Sequence, residues 1–287
     1  MKKQEIAVLI TCYNRKSKTI ACLNSLFEAE IPSDYNLDVY LMDDGSIDGT
    51  AEAIKLLFPN VSVWQGNGNL YWARGMHLIW ERAMKEKVYD AFLLINDDVC
   101  LFHDFLINLI KTDKYSLSQN GRSGIYSGAT IDKNSQKVTY GGLKIKTNHL
   151  IVRLKQLSPT EYPQSCEITN ANILWVSKTA VDIIGIFDKR FIHGIADFDY
   201  ALRAQKKNIP VYLSPYVCGE CTDDHPINWK EGKSSIRERI IYLKSPKGLA
   251  YNEYLYYIRK HFPFYLPYSF VMLWMKTFFP VLWQKFK

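Results

Sequence analysis

Residues 91–99 read AFLLINDDV: five apolar or small residues, then one carboxamide and two carboxylates. A short apolar run that ends in polar residues is typical of a buried β-strand. Adjacent carboxylates are costly to place against a core unless they have a partner. The stretch therefore predicts a strand that leads directly into a polar site at Asn96, Asp97 and Asp98.

The same pattern occurs three more times upstream. Apolar runs at residues 6–10, 39–42 and 61–64 alternate with segments whose apolar residues recur at helical spacing. Alternating strands and helices predict a mostly parallel sheet with helices on its faces, and such sheets bind ligands at the carboxyl ends of their strands. A polar cluster follows each run, so the four clusters should meet at one edge.

Each cluster has a simpler interpretation when it is taken alone. Asp43 or Asp44 can cap the following helix, and Gly66 or Gly68 can supply positive φ in a turn. Four consecutive strands with such endings favour a shared site over four unrelated turns.

The composition of the chain says less about function than these polar clusters do. The 287 residues are 47% hydrophobic and 23% charged, which predicts one large domain or two closely packed lobes. The net charge of +7 favours anionic surroundings, such as a nucleoside diphosphate, a nucleic acid or an anionic membrane. The first apolar run is short and has no cleavage site, which predicts a cytoplasmic protein. Cys218 and Cys221 form a lone C-x-x-C pair, which favours a structural role over a zinc site.

Five motifs in order give the chain its resemblance to a known family. They are TCYNR (11–15), LMDDGSIDGT (41–50), GNGNLYWARG (66–75), LLINDDV (93–99) and FIHGIADFDYALRA (191–204). Together they resemble family 2 glycosyltransferases of the GT-A fold, and among these the bacterial polysaccharide enzymes related to rhamnosyltransferases.

The resemblance implies an α/β fold with a Rossmann-like, nucleotide-binding mixed sheet, helices on both faces and an aromatic, partly helical C-terminal tail. Residues 1–111 would form the half that binds the nucleotide-sugar. Residues 112–230 would form the acceptor-binding and catalytic half of the same domain, and residues 231–287 a helical segment suited to membrane association.

The implied reaction is an inverting transfer of a sugar, rhamnose among the candidates, from a dTDP- or UDP-sugar to a hydroxyl of a glycan or lipid-linked polysaccharide precursor. A divalent cation, Mn²⁺ or Mg²⁺, would neutralise the charge that grows on the leaving diphosphate. Carboxylates suit such hard cations. By resemblance Asp98 is the expected metal ligand and His225 a second one, although a lone histidine is as readily structural. Asn96 stands where the family has Asp, which lowers the charge of the site.

The resemblance also implies a set of nucleotide contacts. Tyr13 would stack on a pyrimidine, Asp44 would accept a hydrogen bond from the ring N–H, and Arg74 would reach the base or the diphosphate. Tyr13 could instead pack in the core, and Arg74 could be a solvated surface residue. The full set of expected nucleotide-binding residues is Thr11, Tyr13, Arg15, Asp44, Gly68, Arg74 and Asp97.

Two acidic residues of the last motif are candidates for the catalytic base. Asp197 and Asp199 stand at a predicted helix start, where the helix dipole favours acids, and Asp199 is spaced to pair with Arg203. By resemblance Asp197 would take the proton from the acceptor hydroxyl, and Asp199 is the second candidate. Ala196 replaces the family's Glu at the neighbouring position.

The tail differs from the rest of the chain in composition. Residues 251–287 hold 14 of the 40 aromatic residues and a single acid, Glu253. Their longest uncharged stretch is too short to span a bilayer and contains two prolines. The segment therefore fits either the cytoplasmic face of an anionic membrane or packing against protein, including a homodimer, and no nucleic acid is implied.

Two other functions fit parts of the pattern. A sugar-nucleotide nucleotidyltransferase shares an α/β core, but it needs a glycine-rich phosphate loop that residues 11–18 do not resemble. A noncatalytic module that binds sugar nucleotide or glycan would need no carboxylate in the position of Asp197.

Overall fold

The structure is a computed structural model that describes residues 3–148, 151–222 and 234–280. Its strands are β1 (Gln4–Cys12), β2 (Tyr35–Asp43), β3 (Val61–Gln65), β4 (Ala91–Asn96), β5 (Cys100–Leu101), β6 (Ile125–Ile131), β7 (Val138–Tyr140), β8 (Gly142–Asn148), β9 (Ile151–Gln156), β10 (Gln164–Ser165), β11 (Ile168–Thr169), β12 (Ile173–Ser177) and β13 (Val211–Glu220). Its helices are α1 (Lys16–Glu28), α2 (Thr50–Leu57), α3 (Tyr71–Glu86), α4 (Phe105–Asn120), α5 (Lys178–Ile184), α6 (Ala196–Lys206), α7 (Ile236–Lys244), α8 (Tyr251–His261) and α9 (Leu266–Phe278).

The main sheet has the strand order β10-β13-β6-β12-β4-β1-β2-β3, with β5 and β7 at its side. Strands β3, β2, β1 and β4 are parallel, as the alternation of strands and helices predicted. Strand β12 then runs antiparallel to β4 and to β6, so the sheet is mixed. The carboxyl ends of the four parallel strands lie side by side.

Both faces of the sheet are buried, which explains the nearly continuous apolar runs of its strands. In β1, Ala7 and Leu9 face a core layer that includes α3 and α6. Ile6, Val8 and Ile10 face the opposite layer, which includes α1 and α4. Alternate residues of one strand therefore pack against helices on opposite sides of the sheet.

The second half of the chain also contributes a separate three-stranded antiparallel sheet in the order β11-β8-β9. The two halves expected from the sequence are joined by shared elements. Helix α4 runs through the proposed boundary at residue 112, and β6 belongs to the main sheet. The apolar residues of α4 are separated by polar ones such as Asn108 and Thr112, which are themselves buried, so the helical periodicity is weak.

The C-terminal segment is helical, as predicted, and packs on the α/β domain. Helix α7 begins with a capping box in which the Ser235 hydroxyl accepts from the Glu238 backbone N–H and the Glu238 carboxylate accepts from the Ser235 N–H. Helix α8 contacts α6, and α9 lies against both α7 and α8. Among the described residues no helix is both long and apolar enough to span a membrane.

Candidate active site

A cavity of about 560 Å³ lies at the carboxyl ends of β1, β2 and β4, where the sequence predicted a site. Its volume is within the range of small-molecule sites. Eight of the residues predicted from the sequence line it: Thr11, Tyr13, Arg15, Asp44, Gly68, Asp97, Asp98 and Asp197. The parallel strands bring the first seven together, and the start of α6 brings Asp197 to the same cavity.

The loops after β1 and β2 are held to each other by side-chain to backbone hydrogen bonds. The Asn14 carboxamide oxygen accepts from the Ile47 N–H at 2.8 Å, and the Ser46 hydroxyl accepts from the Asn14 N–H at 2.8 Å. Asn14 has φ +51°, a left-handed conformation that asparagine tolerates better than most residues. The paired loops fix the backbone next to Tyr13, whose side chain is 45% exposed at the cavity.

Asp44 organises the glycine-rich loop that follows β3. One of its carboxylate oxygens accepts from the Gly68 N–H at 2.9 Å. The other accepts from the N–H groups of Leu70 and Tyr71 at 2.9 and 3.0 Å, at the start of α3. Asp44, which follows β2, thus caps α3, which follows β3. It does not cap α2, the helix that comes next in the sequence.

The glycines of this loop serve its close packing on Asp44. A Cβ on Gly66 would lie 2.6 Å from the Asp44 carboxylate, which is too close for any side chain. Gly68 has φ +82°, in the left-handed region that glycine adopts without strain. Only glycine fits both positions, and of the two Gly68 lines the cavity.

The carboxamide of Asn96 is engaged by a neighbouring indole. Its Oδ1 atom accepts a hydrogen bond from the Trp72 Nε1–H at 2.8 Å. An indole nitrogen can only donate, so an oxygen acceptor is needed at this position, and asparagine supplies it without adding a third negative charge. Asn96, where the resemblance implied Asp, is therefore held by Trp72 of α3, and Trp72 also lines the cavity.

Asp97 and Asp98 share the guanidinium of Arg15. The Nη1 atom of Arg15 lies 2.6 Å from an Asp98 oxygen and 3.3 Å from an Asp97 oxygen. The Cys221 thiol lies 3.7 Å from the other Asp98 oxygen. Burial raises the pKa of Asp97 to about 7, against the opposing effect of Arg15. The two costly carboxylates thus have a cationic partner within the chain.

The same two carboxylates are the described groups best suited to a divalent cation. They present oxygen atoms to the cavity, as hard cations require. Within the described residues no group of three or more His, Cys, Asp or Glu side chains is placed to hold a metal. The phosphates of a ligand would therefore have to supply much of the remaining coordination. His225, the other predicted ligand, lies outside the described residues.

Asp197 also lines the cavity, from the first turn of α6. Its Oδ2 atom accepts from the Ala171 N–H at 3.1 Å, and its Oδ1 atom accepts from the Phe198 N–H at 2.9 Å. Burial raises the pKa of this carboxyl to about 6, and the backbone hydrogen bonds oppose the rise. Two backbone donors hold the carboxylate in place while its pKa stays close to the range of a general base.

Asp199 is fully buried and is not among the residues that line the cavity. Its oxygens lie 2.8 Å from the Arg203 Nε, 2.7 Å from the Lys260 Nζ and 2.7 Å from the His261 Nε2. Burial opposes the ionisation of Asp199, but these partners lower the pKa below its usual value. The predicted pair with Arg203 is present, and Asp199 also joins α6 to α8.

Arg74 is exposed on α3 and is likewise not among the lining residues of the cavity. Its charge lies near Glu253 of α8 and lowers the pKa of that carboxyl, although burial raises it by more. Arg74 therefore lies at the surface, as the alternative interpretation from the sequence expected.

Several further lining positions were not identified from the sequence, and four of them illustrate why. Trp72 and Cys221 were noted only in other contexts, Asn172 lies in a loop without a motif, and Lys247 belongs to the tail. The only signal for Trp72 was its place between the glycine loop and Arg74. No sequence signal marks Lys247, because it reaches the cavity through tertiary packing of α7 and α8.

The chain was compared with known proteins. The model of the family described as glycosyl transferase family 2 matches residues 7–159. None of the curated proteins searched matches the chain.

Solved structures share the fold at low sequence identity. A mannosyltransferase from Pyrobaculum calidifontis, PcManGT in complex with GDP-Man and Mn²⁺, is 15% identical with a TM-score of 0.55 over 85% of this chain and 62% of its own. GalNAc-T7 with UDP, GalNAc and Mn²⁺ is 14% identical with a TM-score of 0.58 over 76% and 43%. S. aureus TarS 1–349 is 17% identical with a TM-score of 0.53 over 85% and 65%.

The chain spans less than two thirds of the length of each of these three structures. At such identities the likeness shows the fold, which is the GT-A fold that the motifs implied. It comprises the mixed sheet with helices on both faces, and within the described residues helices α7, α8 and α9 follow it.

Proposed function

Because the chain belongs to glycosyl transferase family 2, we propose that it transfers a sugar from a nucleoside diphosphate to a hydroxyl of a glycan or lipid-linked polysaccharide precursor. The observation that carries the proposal is the meeting of two carboxylate groups in one cavity. Asp97 and Asp98 come from the turn after β4, and Asp197 comes from the start of α6. The first pair suits the diphosphate end of a donor, and Asp197 suits the proton of an acceptor.

The donor is proposed to be a dTDP- or UDP-sugar, with rhamnose as one candidate sugar. Tyr13 offers an exposed ring face at the cavity on which a pyrimidine can stack. The Asp44 carboxylate already accepts three backbone N–H groups, and a carboxylate has about four lone-pair positions. One further hydrogen bond, from the N–H of a pyrimidine ring, is compatible with that count.

Asp98, assisted by Asp97, would hold Mn²⁺ or Mg²⁺ together with the donor phosphates. When bound, the cation supplies positive charge against the negative charge that develops on the leaving diphosphate. The donor set fits, because both carboxylates offer oxygen to the cavity and the Asn96 oxygen is committed to Trp72. Arg15 now lies on Asp98 and would exchange that partner for a phosphate when the cation arrives. The solved mannosyltransferase and GalNAc-T7 structures contain Mn²⁺, which supports this part of the proposal.

Asp197 would take the proton from the acceptor hydroxyl as that oxygen attacks the anomeric carbon. The hydrogen bonds from the Ala171 and Phe198 N–H groups fix the orientation of the carboxylate. Attack from the face opposite the diphosphate forms one C–O bond as another breaks, so the configuration at the anomeric carbon inverts. No carboxylate nucleophile is required.

The acceptor is proposed to be presented at the cytoplasmic face of a membrane, on which α9 would lie. Phe264 is 95% exposed at the start of this region, and Val271 and Phe279 are 54% and 51% exposed. Exposed aromatic and aliphatic side chains on a chain of net charge +7 suit an anionic interface.

A donor panel tests the proposal. Thermal unfolding would be followed with UDP-, dTDP- and GDP-sugars, with and without Mn²⁺, because a ligand that binds the native state raises its melting temperature. We expect a rise for one pyrimidine nucleotide that is larger with Mn²⁺. Transfer to a hydroxyl acceptor should then follow with the same donor and should be absent in Asp197→Asn. If the wild type binds the donor but catalyses neither transfer nor hydrolysis, the chain is a binding module.

A further inference from the structure

The turn between α7 and α8 projects a lysine into the candidate donor site. In this turn the Gly248 N–H donates to the Ser245 carbonyl at 2.9 Å, and the Leu249 N–H donates to the Tyr242 carbonyl at 3.1 Å. The Ala250 N–H closes the turn on the Ser245 carbonyl at 3.1 Å. Lys247, within this turn, is one of the residues that line the cavity.

The turn is constrained by the packing of its glycine. A Cβ on Gly248 would overlap the carbonyl group of Tyr242, so no other residue fits without moving the backbone. Three backbone hydrogen bonds and this close contact fix where the turn lies relative to α7. The position of Lys247 therefore follows from the fold of the C-terminal segment.

The ammonium group of Lys247 lies among aromatic rings at the cavity. Its Nζ atom is 6.0 Å from the Tyr13 ring centroid and 5.8 Å from the Tyr71 ring centroid. These distances are at the outer limit of cation–π attraction. Across the described part of the chain, this group makes no ion pair or hydrogen bond. Its three N–H donors are thus available to a ligand.

The charge of the cavity explains what such a ligand would be. Asp97, Asp98 and Asp197 line the cavity, and Arg15 is paired with the first two. An anionic ligand would be repelled by these carboxylates unless positive charge, from a bound cation and from further side chains, were present. A lysine ammonium is a compact charge with three donors and a common partner of phosphate oxygens.

We propose that Lys247 binds the diphosphate of the donor, so that the C-terminal helical segment completes the donor site. The inference rests on the proposed function and adds to it a phosphate-binding residue outside the α/β domain. Lys247 would leave the faces of Tyr13 and Tyr71 and contact a phosphate oxygen when the nucleotide binds. Tyr13 would then be open to the base.

The test compares two lysine variants of the full chain. Lys247→Met removes the charge at the cavity, and Lys244→Met removes the same charge three residues earlier, at the exposed end of α7 and outside the lining residues. Binding of UDP, UMP and uridine, and of dTDP, dTMP and thymidine in parallel, would be measured with Mn²⁺ by calorimetry and ligand-observed NMR. Lys247→Arg retains the charge and serves as a second control.

We expect Lys247→Met to weaken diphosphate binding about tenfold, the usual size of one lost charge-assisted hydrogen bond. The nucleosides should bind as they do to the wild type, and Lys244→Met and Lys247→Arg should bind the diphosphates with little change. The affinity of Lys247→Met should also depend less steeply on salt concentration. Unchanged diphosphate binding by Lys247→Met would overturn the proposal. An equal loss for nucleoside and diphosphate would also overturn it, because the contact would then be with the base.

The wild type separates this inference from the proposed function. If the wild type binds none of the nucleotides, the donor site itself is wrong. If it binds them and Lys247→Met binds them equally well, the donor site stands and only the role of Lys247 fails.

Discussion

Strands β1–β4 and helices α7–α9 both place side chains at the candidate site, but they do so by different physical means. The parallel strands deliver Thr11, Asp44 and Asp97 to one edge because every strand of the set ends there. The C-terminal helices reach the site through individual contacts. Lys247 enters the cavity from a turn, and Glu253 of α8 accepts the Ile192 N–H at 2.7 Å, in the loop that leads into α6 and Asp197.

Because the two regions hold their side chains differently, a single substitution should have different consequences in each. A residue at a strand end is positioned by the backbone hydrogen bonds of the sheet, so changing its side chain should remove chemistry and spare geometry. Asp44 is the exception, because its carboxylate also holds the glycine loop after β3. A residue of α8 holds a loop by its own side chain, so changing it should move the loop. Variants at the strand ends should therefore lose chemistry or binding while the protein stays as stable as the wild type. Variants in α8 should lose activity and stability together.

The largest effect is expected at the start of α6, for Asp197→Asn. This change removes the proton acceptor, and the transfer rate should fall about hundredfold or more, the size typical of general-base catalysis. Donor affinity should stay close to that of the wild type. The carboxylate is buried and its pKa is raised to about 6, so a neutral side chain of the same shape should not unfold the protein.

Steady-state kinetics and proton NMR of the product check this prediction together. The anomeric coupling constant should report inversion of configuration. Retention of configuration would contradict the proposed mechanism, and an undiminished rate would exclude Asp197 as the base.

The next largest effect is expected at a strand end, for Asp98→Ala. Loss of a charged hydrogen-bonding partner costs about 1.5–3 kcal/mol, which is about a tenfold to hundredfold loss in affinity. This loss should appear only in the presence of Mn²⁺, while binding without metal should be unaffected or improved. Calorimetry with and without Mn²⁺ checks it, and an unchanged benefit from Mn²⁺ would place the cation elsewhere. The melting temperature should change little, as expected for a strand-end residue.

Much of the part of the site that lies at the ends of β1–β4 could be predicted from the sequence, because neighbouring residues determine both the strand and the polar residues that follow it. An apolar run followed by a polar cluster gives both the strand and the position of Asp97 and Asp98. The predicted strand at 91–95 and the observed Ala91–Asn96 differ by one residue. Even here the partners were not predictable, since neither Arg15 on Asp98 nor Trp72 on Asn96 follows from spacing.

The C-terminal half of the site was much less predictable because its information is non-local. Asp199 and His261 are 62 residues apart and meet in a buried cluster. The aromatic composition of the tail predicted that it contacts a membrane or packs against protein. It gave no reason to place Lys247 beside Tyr13. A single lysine in a turn carries no pattern, and its position depends on how α7 and α8 pack.

The third prediction concerns pH. The proposed base must be ionised to accept a proton, and burial raises the pKa of Asp197 to about 6. The rate should therefore be maximal above this pH and fall as pH decreases through about 6, by about tenfold for each further unit. The residual activity of Asp197→Asn should lack this decline. If the decline persists in the variant, it belongs to another group, such as Asp97.

A smaller effect is expected in the C-terminal helices, for Glu253→Ala. The change leaves the partly buried Ile192 N–H without its acceptor, which should cost about 1 kcal/mol, the lower end of the range for an unsatisfied donor. The melting temperature should fall by a few degrees, and the transfer rate should fall a few-fold because the loop that leads into α6 and Asp197 shifts. Asn252→Ala, on the exposed face of the same helix, is the matched control. A loss of rate with unchanged stability would contradict the proposed difference between the two regions.

The smallest effect is expected at the surface of the C-terminal segment, for Phe264→Glu. Phe264 is 95% exposed, so the substitution should leave stability and donor hydrolysis unchanged. If this surface enters a membrane interface, partial loss of one aromatic contact and addition of a negative charge should weaken binding to anionic vesicles by about threefold. Sedimentation with phosphatidylglycerol vesicles measures this.

Leu56→Glu is the matched control from the α/β domain, because Leu56 is a similarly exposed apolar residue, at 82%, on α2. It adds the same charge to the same protein far from the C-terminal helices in sequence. Equal losses for the two variants would mean that vesicle binding depends on net charge alone. A loss confined to Phe264→Glu would assign the membrane contact to the C-terminal segment, and the segment that meets the acceptor's membrane would then also carry Lys247 to the donor.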